Sequence, residues 1–96
     1  MFISGQLPLM ADGELPEAFA DQVRQVFINL TAALTAAGLG LGDVVKTTVF
    51  LKNMDDFAEL NRLYGQHFGV EPPARSTIEV ARLPKDALVE IEAVAV

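Results

Sequence analysis

The sequence predicts an α+β fold: a mostly antiparallel four-stranded sheet with two helices on one face, in the order β-α-β-α-β-β. Three observations lead there. Two segments repeat apolar residues at helical spacing, Phe19, Val23, Val26, Phe27, Leu30, Leu34 and Ala37 in the first and Phe57, Leu60, Tyr64 and Phe68 in the second. Four other stretches, beginning near Phe2, Asp43, Arg75 and Ala87, are β-branched or alternate in polarity as strands do. Finally, two helices can cover one face of such a sheet but not both. The strands keep aliphatics for the second face, so neighbouring subunits are expected to cover it.

Each element has its own signals. Phe2 to Leu9 reads as a strand, with Pro8 at its end or on an edge. Asp12-Gly13 marks a turn. Pro16 suits the first turn of the first helix, and Glu14 and Glu17 suit its positive end. Gly38 is the expected helix stop. The run Gly38-Leu39-Gly40-Leu41-Gly42 has neither dinucleotide nor P-loop spacing and reads as a stop and a turn. Asp43 to Lys52 is apolar on both faces, as in a strand covered on both sides. The second helix runs from about Asp55 to Phe68, capped by Asn53 or Asp55. Beyond Pro72-Pro73, two β-prone runs flank Pro84-Lys85-Asp86 and read as a closing antiparallel hairpin.

Alternation along those last runs sorts the side chains. Arg75, Thr77 and Glu79 share a face opposite Ser76, Ile78 and Val80. Val89, Ile91, Ala93 and Ala95 form an apolar face, while Glu90 and Glu92 share the other with Leu88, Val94 and Val96. An even-numbered hairpin loop puts Arg75 and Glu90 on the same side of the sheet. Charges set among aliphatics are costly unless paired or employed.

Composition narrows the function. The 96 residues suit one domain, 1–96, and 51% of them are hydrophobic, an excess part of which is expected to be buried against other subunits. A net charge of −6 argues against nucleic acid, whose phosphates need clustered Lys and Arg. No apolar run approaches the ~20 residues of a membrane span, and no basic segment precedes a hydrophobic one. There is no cysteine. A soluble, cytoplasmic protein is the expectation. His67 is the only histidine, so within one chain's usual ligand set neither a zinc site nor a Ser-His-Asp triad is expected, and it is read as a solvent-facing helical residue.

Pro73-Ala74-Arg75-Ser76, Glu79-Val80-Ala81-Arg82-Leu83-Pro84 and Glu90-Ile91-Glu92-Ala93 together resemble the C-terminal signature of the reactive-intermediate (enamine/imine) deaminase family, also called RidA or YjgF. Ser4-Gly5-Gln6, Asp43-Val44-Val45-Lys46 and Asn61 match family positions too, so the likeness runs along nearly the whole chain. The resemblance implies a chorismate-mutase-like fold, a homotrimer with sites in the clefts between subunits, and no metal or cofactor. It implies hydrolysis of 2-imino acids such as 2-iminopropanoate and 2-iminobutanoate to 2-keto acids and ammonia. By that likeness Arg75 holds the substrate carboxylate and Glu90 positions or activates water, while Ser4, Gly5, Thr77 and Asn61 line the pocket. Thr77 stands where many members have cysteine. The family pattern also has an earlier strand and a Gly-Pro-Tyr element ahead of Ser4, whose tyrosine contributes to the pocket. The sequence opens at Met1-Phe2-Ile3 and is read as lacking both, with Tyr64 no replacement.

The residue types fit that chemistry. Arginine presents a planar fork that binds a carboxylate bidentately, as lysine cannot. A nearby carboxylate can orient water and take its proton. Plainer readings stand beside these. Arg75 could sit in a structural ion pair with Glu79, Glu90 or Glu92, Ser4-Gly5 could be a strand bulge, and Asn61 could be structural. A non-catalytic trimer that binds a carboxylate metabolite or a partner is the rival function. Endoribonuclease activity, assigned to some family members, fits an acidic chain with one histidine least.

Overall fold

Two residues out of every four in the central strands point at the helices, and that alternation organises the computed structural model, which describes residues 1–96. Strands β1 (Phe2–Gln6), β2 (Val44–Leu51), β3 (Ala74–Glu79) and β4 (Val89–Ala95) form one sheet in the order β1-β4-β2-β3. Helices α1 (Phe19–Ala36) and α2 (Phe57–Phe68) pack on one face of it. β4 pairs antiparallel with β1 on one side and β2 on the other, and β3 runs parallel to β2 at the edge. The element order and the mostly antiparallel sheet are those predicted. No helix is long and apolar enough to cross a membrane.

The closing hairpin is not there. β3 and β4 are not neighbours, because β2 lies between them. The cause is the β2-α2-β3 crossover, which returns β3 parallel and beside β2. β4 then fills the antiparallel slot between β2 and β1. The Pro84–Asp86 turn does form, with Lys85 and Asp86 at φ 59° and 56°, but it carries the chain past the end of β2. This overturns the expectation that Arg75 and Glu90 share a side. Arg75 is in register with Thr47, which is buried toward the helices, whereas Glu90 is in register with Phe50 on the opposite face.

The core lies between that sheet face and the helices. Val23, Val26, Leu30 and Leu34 of α1, Leu60 and Leu63 of α2, and Val49, Leu51, Val89, Ile91 and Ala95 of the sheet are each at most marginally accessible. The other face is less well covered than the predicted two-sided strand required: Lys46, Thr48 and Phe50 of β2 are only half-buried. Phe2, 87% exposed, lies on that face in register with Val94, and Ile78, 45% exposed, is in register with Phe50.

Helix ends depart from the prediction in small ways with clear causes. α1 begins at Phe19, and Pro16 stays upstream with its carbonyl accepting from Gln22 Nε2 at 2.8 Å. The same Gln22, buried, accepts the Leu88 N–H on Oε1 at 2.8 Å. Gly38, at φ 76°, ends α1 in a Schellman arrangement: its N–H donates to Thr35 O and that of Leu39 to Leu34 O. Ala37 falls outside the stripe and is exposed. Asn53, not Asp55, supplies the cap before α2, accepting the Asp55 N–H in a short turn over Met54–Asp56.

Gln22 joins the segment ahead of α1 to the start of β4 across the chain. Gln22→Met keeps the volume but orphans one N–H and one C=O. It is expected to cost about 2–4 kcal/mol in urea unfolding; a loss below ~0.5 kcal/mol would show that water replaces both bonds.

Candidate functional site

Arg75 leaves β3 on the helix side and lies against one face of α2. Its Nη2 donates to Asn61 Oδ1 at 2.8 Å. Its guanidinium carbon sits 4.7 Å from the Tyr64 ring centroid and 5.5 Å from that of Phe57. Phe57, Asn61 and Tyr64 are spaced i, i+4, i+7, so they rise along one stripe of the helix. Cation–π contact of this kind contributes roughly 0.5–1 kcal/mol when exposed and about 2 when desolvated. Below the stack, the Tyr64 hydroxyl and Thr47 Oγ1 share a buried hydrogen bond of 2.7 Å. Burial pushes the Tyr64 phenol above its ordinary range, partly offset by the Thr47 hydrogen bond and the Arg75 charge.

The partners of Arg75 distinguish it from the other arginines. Arg24, Arg62 and Arg82 each pair with a carboxylate three or four residues away, on Asp21, Glu59 and Asp86. Arg75 has an amide oxygen instead and takes part in no ion pair. The structural ion pair to Glu79, Glu90 or Glu92 therefore does not form within the chain. Glu79 is engaged elsewhere, accepting the Met54 N–H on Oε1 at 2.8 Å.

Glu90 projects from the opposite face of the sheet, half-buried over Gly5. A β-carbon on Gly5 would come within 2.7 Å of Glu90 Cδ and collide with Oε2, so only glycine leaves room for the carboxylate. β1 and β4 lose register between Ile3 and Gln6, a bulge that includes Ser4 and Gly5. Burial first, and the charge of Glu92 second, hold the Glu90 carboxyl above the ordinary glutamate value of 4.5.

The sequence-derived candidates thus fall into two groups. Arg75, Asn61 and Thr77 lie on the helix side of β3 and α2, and Ser4, Gly5 and Glu90 lie at the β1–β4 ladder. Asn61 gives its Oδ1 to Arg75. Thr77 Oγ1 is buried with no hydrogen-bond partner, an arrangement that costs roughly 1–3 kcal/mol. Tyr64, read from sequence as an inward residue of the second helix that does not replace the family tyrosine, is in contact with the guanidinium; its i+3 spacing from Asn61 is the available signal. His67 does not face solvent as expected. It stacks on Phe27 with ring centroids 4.0 Å apart and puts Nδ1 2.9 Å from Leu63 O. With Phe27, Ile28 and Thr31 it lines a shallow groove of ≈ 260 Å³ between the helices, which includes no residue of either group. No three His, Asp or Glu side chains converge as metal ligands would.

Two outcomes follow from the Glu90 environment. A carboxyl whose pKa is raised on folding makes the folded chain bind its proton more tightly than the unfolded chain. Stability therefore falls as pH rises from the ordinary glutamate value through the raised one. Glu90→Gln is expected to unfold at higher temperature than the parent at pH 7 and to match it below about pH 4, at one fixed protein concentration. An equal shift at both pH values would remove the electrostatic explanation. Gly5→Ala displaces only the end of a flexible side chain, so thermal unfolding should change by less than about 1 kcal/mol. Any activity that depends on the Glu90 carboxylate should drop at least about tenfold in kcat.

Comparison with known proteins places the chain. Residues 1–96 match the family described as Endoribonuclease L-PSP. The chain is 52% identical over 97 residues to the 2-iminobutanoate/2-iminopropanoate deaminase of Escherichia coli (strain K12), covering 97% of this chain and 76% of that one. It superposes on the crystal structure of E. coli TdcF with bound serine with a TM-score of 0.94 at 46% identity, over 99% of this chain and 78% of that one. On the E. coli YjgF gene product the TM-score is 0.92 at 49% identity, over 99% and 78% respectively. With the whole chain matched and about half its residues shared with such relatives, it belongs to the Endoribonuclease L-PSP family, the RidA/YjgF family.

Proposed function

We propose that this protein hydrolyses small 2-imino acids to 2-keto acids and ammonia, in a site shared between copies of the chain. One observation carries the reading: Arg75 is oriented by a neutral amide and two aromatic rings, with its charge unpaired. A fixed, unneutralised guanidinium suits an incoming carboxylate, which it can grip through two parallel hydrogen bonds. The name of the 52%-identical E. coli deaminase supports the choice of substrate.

The positions of Arg75 and Glu90 dictate the rest of the proposal. They are on opposite faces of one sheet, two strands apart in the order β4-β2-β3. A substrate of a few atoms cannot reach both in one protomer, so the second group comes from a neighbour. The exposed Phe2, Ile78 and Val96 give the open face reason to associate, and a homotrimer is the assembly we propose. In such a cleft Arg75 holds the carboxylate of the 2-imino acid. Glu90 takes a proton from water as its oxygen adds to the C=N carbon. The nitrogen gains that proton; the hydroxyl of the tetrahedral adduct then passes its own proton through Glu90 to the amine, the C–N bond breaks as the C=O bond forms, and ammonia leaves with a 2-keto acid behind. General-base assistance of this type contributes roughly 10²–10⁴-fold.

A second reading, a carboxylate-metabolite binder without turnover, draws support from the relative crystallised with serine. An endoribonuclease, which the family description names, is disfavoured by the net charge of −6 and the single histidine.

The test generates 2-iminopropanoate with an amino-acid oxidase and traps it with semicarbazide; the deaminase suppresses semicarbazone formation catalytically. Arg75→Lys and Glu90→Gln should each lower the rate at least about 100-fold while remaining folded. Refolding the two variants together should restore part of the activity, because mixed clefts regain one intact Arg75 and one intact Glu90. Recovery of nothing would place one or both groups outside the reaction. Saturable 2-keto-acid binding without turnover by the parent would select the binder.

A further inference from the structure

We infer that Tyr64 is the positioning residue of the carboxylate clamp: its ring, tied down by Thr47, sets the direction in which the Arg75 fork points. The inference rests on the reading of Arg75 as the carboxylate-binding group and names what makes that group rigid.

Three elements meet at this point. Thr47 on β2 and Arg75 on β3 are register partners, so their side chains leave the sheet side by side on the helix face. Tyr64 comes down from α2 onto both, its hydroxyl bonded to Thr47 Oγ1 and its ring beneath the guanidinium. The hydrogen bond is buried, and the Tyr64 residue is only 5% exposed. The ring is held on its other sides as well, at 4.8 Å from Phe68 and edge-on to Phe27 at 6.1 Å. An arginine side chain has several rotatable bonds and, on an edge strand such as β3, few neighbours to restrict them. Here a flat surface defines the plane of the fork, and Asn61 Oδ1 fixes its rotation within that plane. Phe57, half-exposed and farther away, closes the third side. One donor nitrogen is committed to Asn61, and the remaining N–H groups are left for a ligand.

A fork held in advance should bind its carboxylate without first being ordered, so the cradle acts on substrate affinity rather than on the chemical step. Tyr64→Phe keeps the ring and loses the strut. Tyr64→Leu loses both. Phe57→Leu removes the exposed wall without touching the buried cluster. For 2-iminopropanoate, Tyr64→Leu is expected to raise KM roughly tenfold with kcat within about threefold, and Tyr64→Phe to retain most of the affinity. Dissociation constants for pyruvate, measured calorimetrically, should rise in the same order and give a readout independent of turnover. In the Arg75→Lys background, Tyr64→Leu should add no further loss, because the group it positions is gone.

If Tyr64→Leu unfolds the protein, Phe57→Leu still decides, with an expected rise in KM and in the pyruvate constant of about threefold. Unchanged pyruvate binding in a folded Tyr64→Leu, or in Phe57→Leu where the former does not fold, overturns the cradle. So does a loss that adds fully to that of Arg75→Lys. Failure of the underlying reading looks different: Arg75→Lys alone would then leave both KM and pyruvate binding intact.

Discussion

Aliphatic burial along β4 is the constraint on which the rest of the molecule depends. The strand is hydrogen-bonded on both edges, and Val89, Ile91, Ala93 and Ala95 all face the helices in the buried core. A slip of one residue would put Glu90, Glu92 and Val94 there instead. Each valine or isoleucine fully buried contributes about 1.5–3 kcal/mol, so the register is held by several such terms acting together. Against that sum the cost of keeping the Glu90 carboxylate half-buried is minor, and the fold tolerates it. Glu90 therefore owes its position to its neighbours in sequence, not to any attraction of its own.

The same alternation separates the two charged groups. β3 follows β2 in parallel and inherits its facing, so Arg75 is delivered to the helix side with Thr47. Glu90 is delivered to the open side with Phe50. Neither placement is adjustable without breaking a ladder. The chain thus presents a fixed cation on one surface and a perturbed carboxylate on another, and in the proposed assembly the two would meet across a boundary between copies. An exposed apolar sheet face then has a use in the proposed assembly: it brings one protomer's Glu90 side toward another's Arg75 edge.

Local pattern is enough to read the element order, the core stripe of α1 as far as Leu34, the Gly38 stop and the facing of the residues in β3 and β4. Those features depend on residues close together in the chain. Strand neighbours do not, and no local signal reports them. Two strand-like runs around Pro84-Lys85-Asp86 look like a hairpin because turn chemistry reports only that the chain reverses. Which strand it lies beside after reversing depends on the earlier β2-α2-β3 crossover, which puts β3 on one edge of β2 and leaves the other edge for β4. Likewise, Gly5 was recognisable as a residue for close approach, but that Glu90 makes the approach requires the β1–β4 pairing. The aromatic support of Arg75 was hidden for the same reason. Phe57, Asn61 and Tyr64 announce a stripe, but only the parallel register of β2 and β3 puts an arginine over it.

How Arg75 is held bears on what it can bind. An arginine anchored by a carboxylate is well ordered, but its charge is spent on its anchor, and an anionic ligand must compete for it. Arg24, Arg62 and Arg82 are held in that way, on exposed surface where such pairs contribute little. Arg75 is ordered by contacts that leave its charge intact: an amide oxygen, which is neutral, and two aromatic faces, which attract a cation without neutralising it. That difference matters in a chain carrying a net charge of −6, whose general field repels small acids. Attraction of a carboxylate must then be local, short-ranged and geometrically defined, which a planar fork provides and a diffuse basic patch would not. The absence of an acidic partner at this one arginine is what suits it to the acidic substrate we propose.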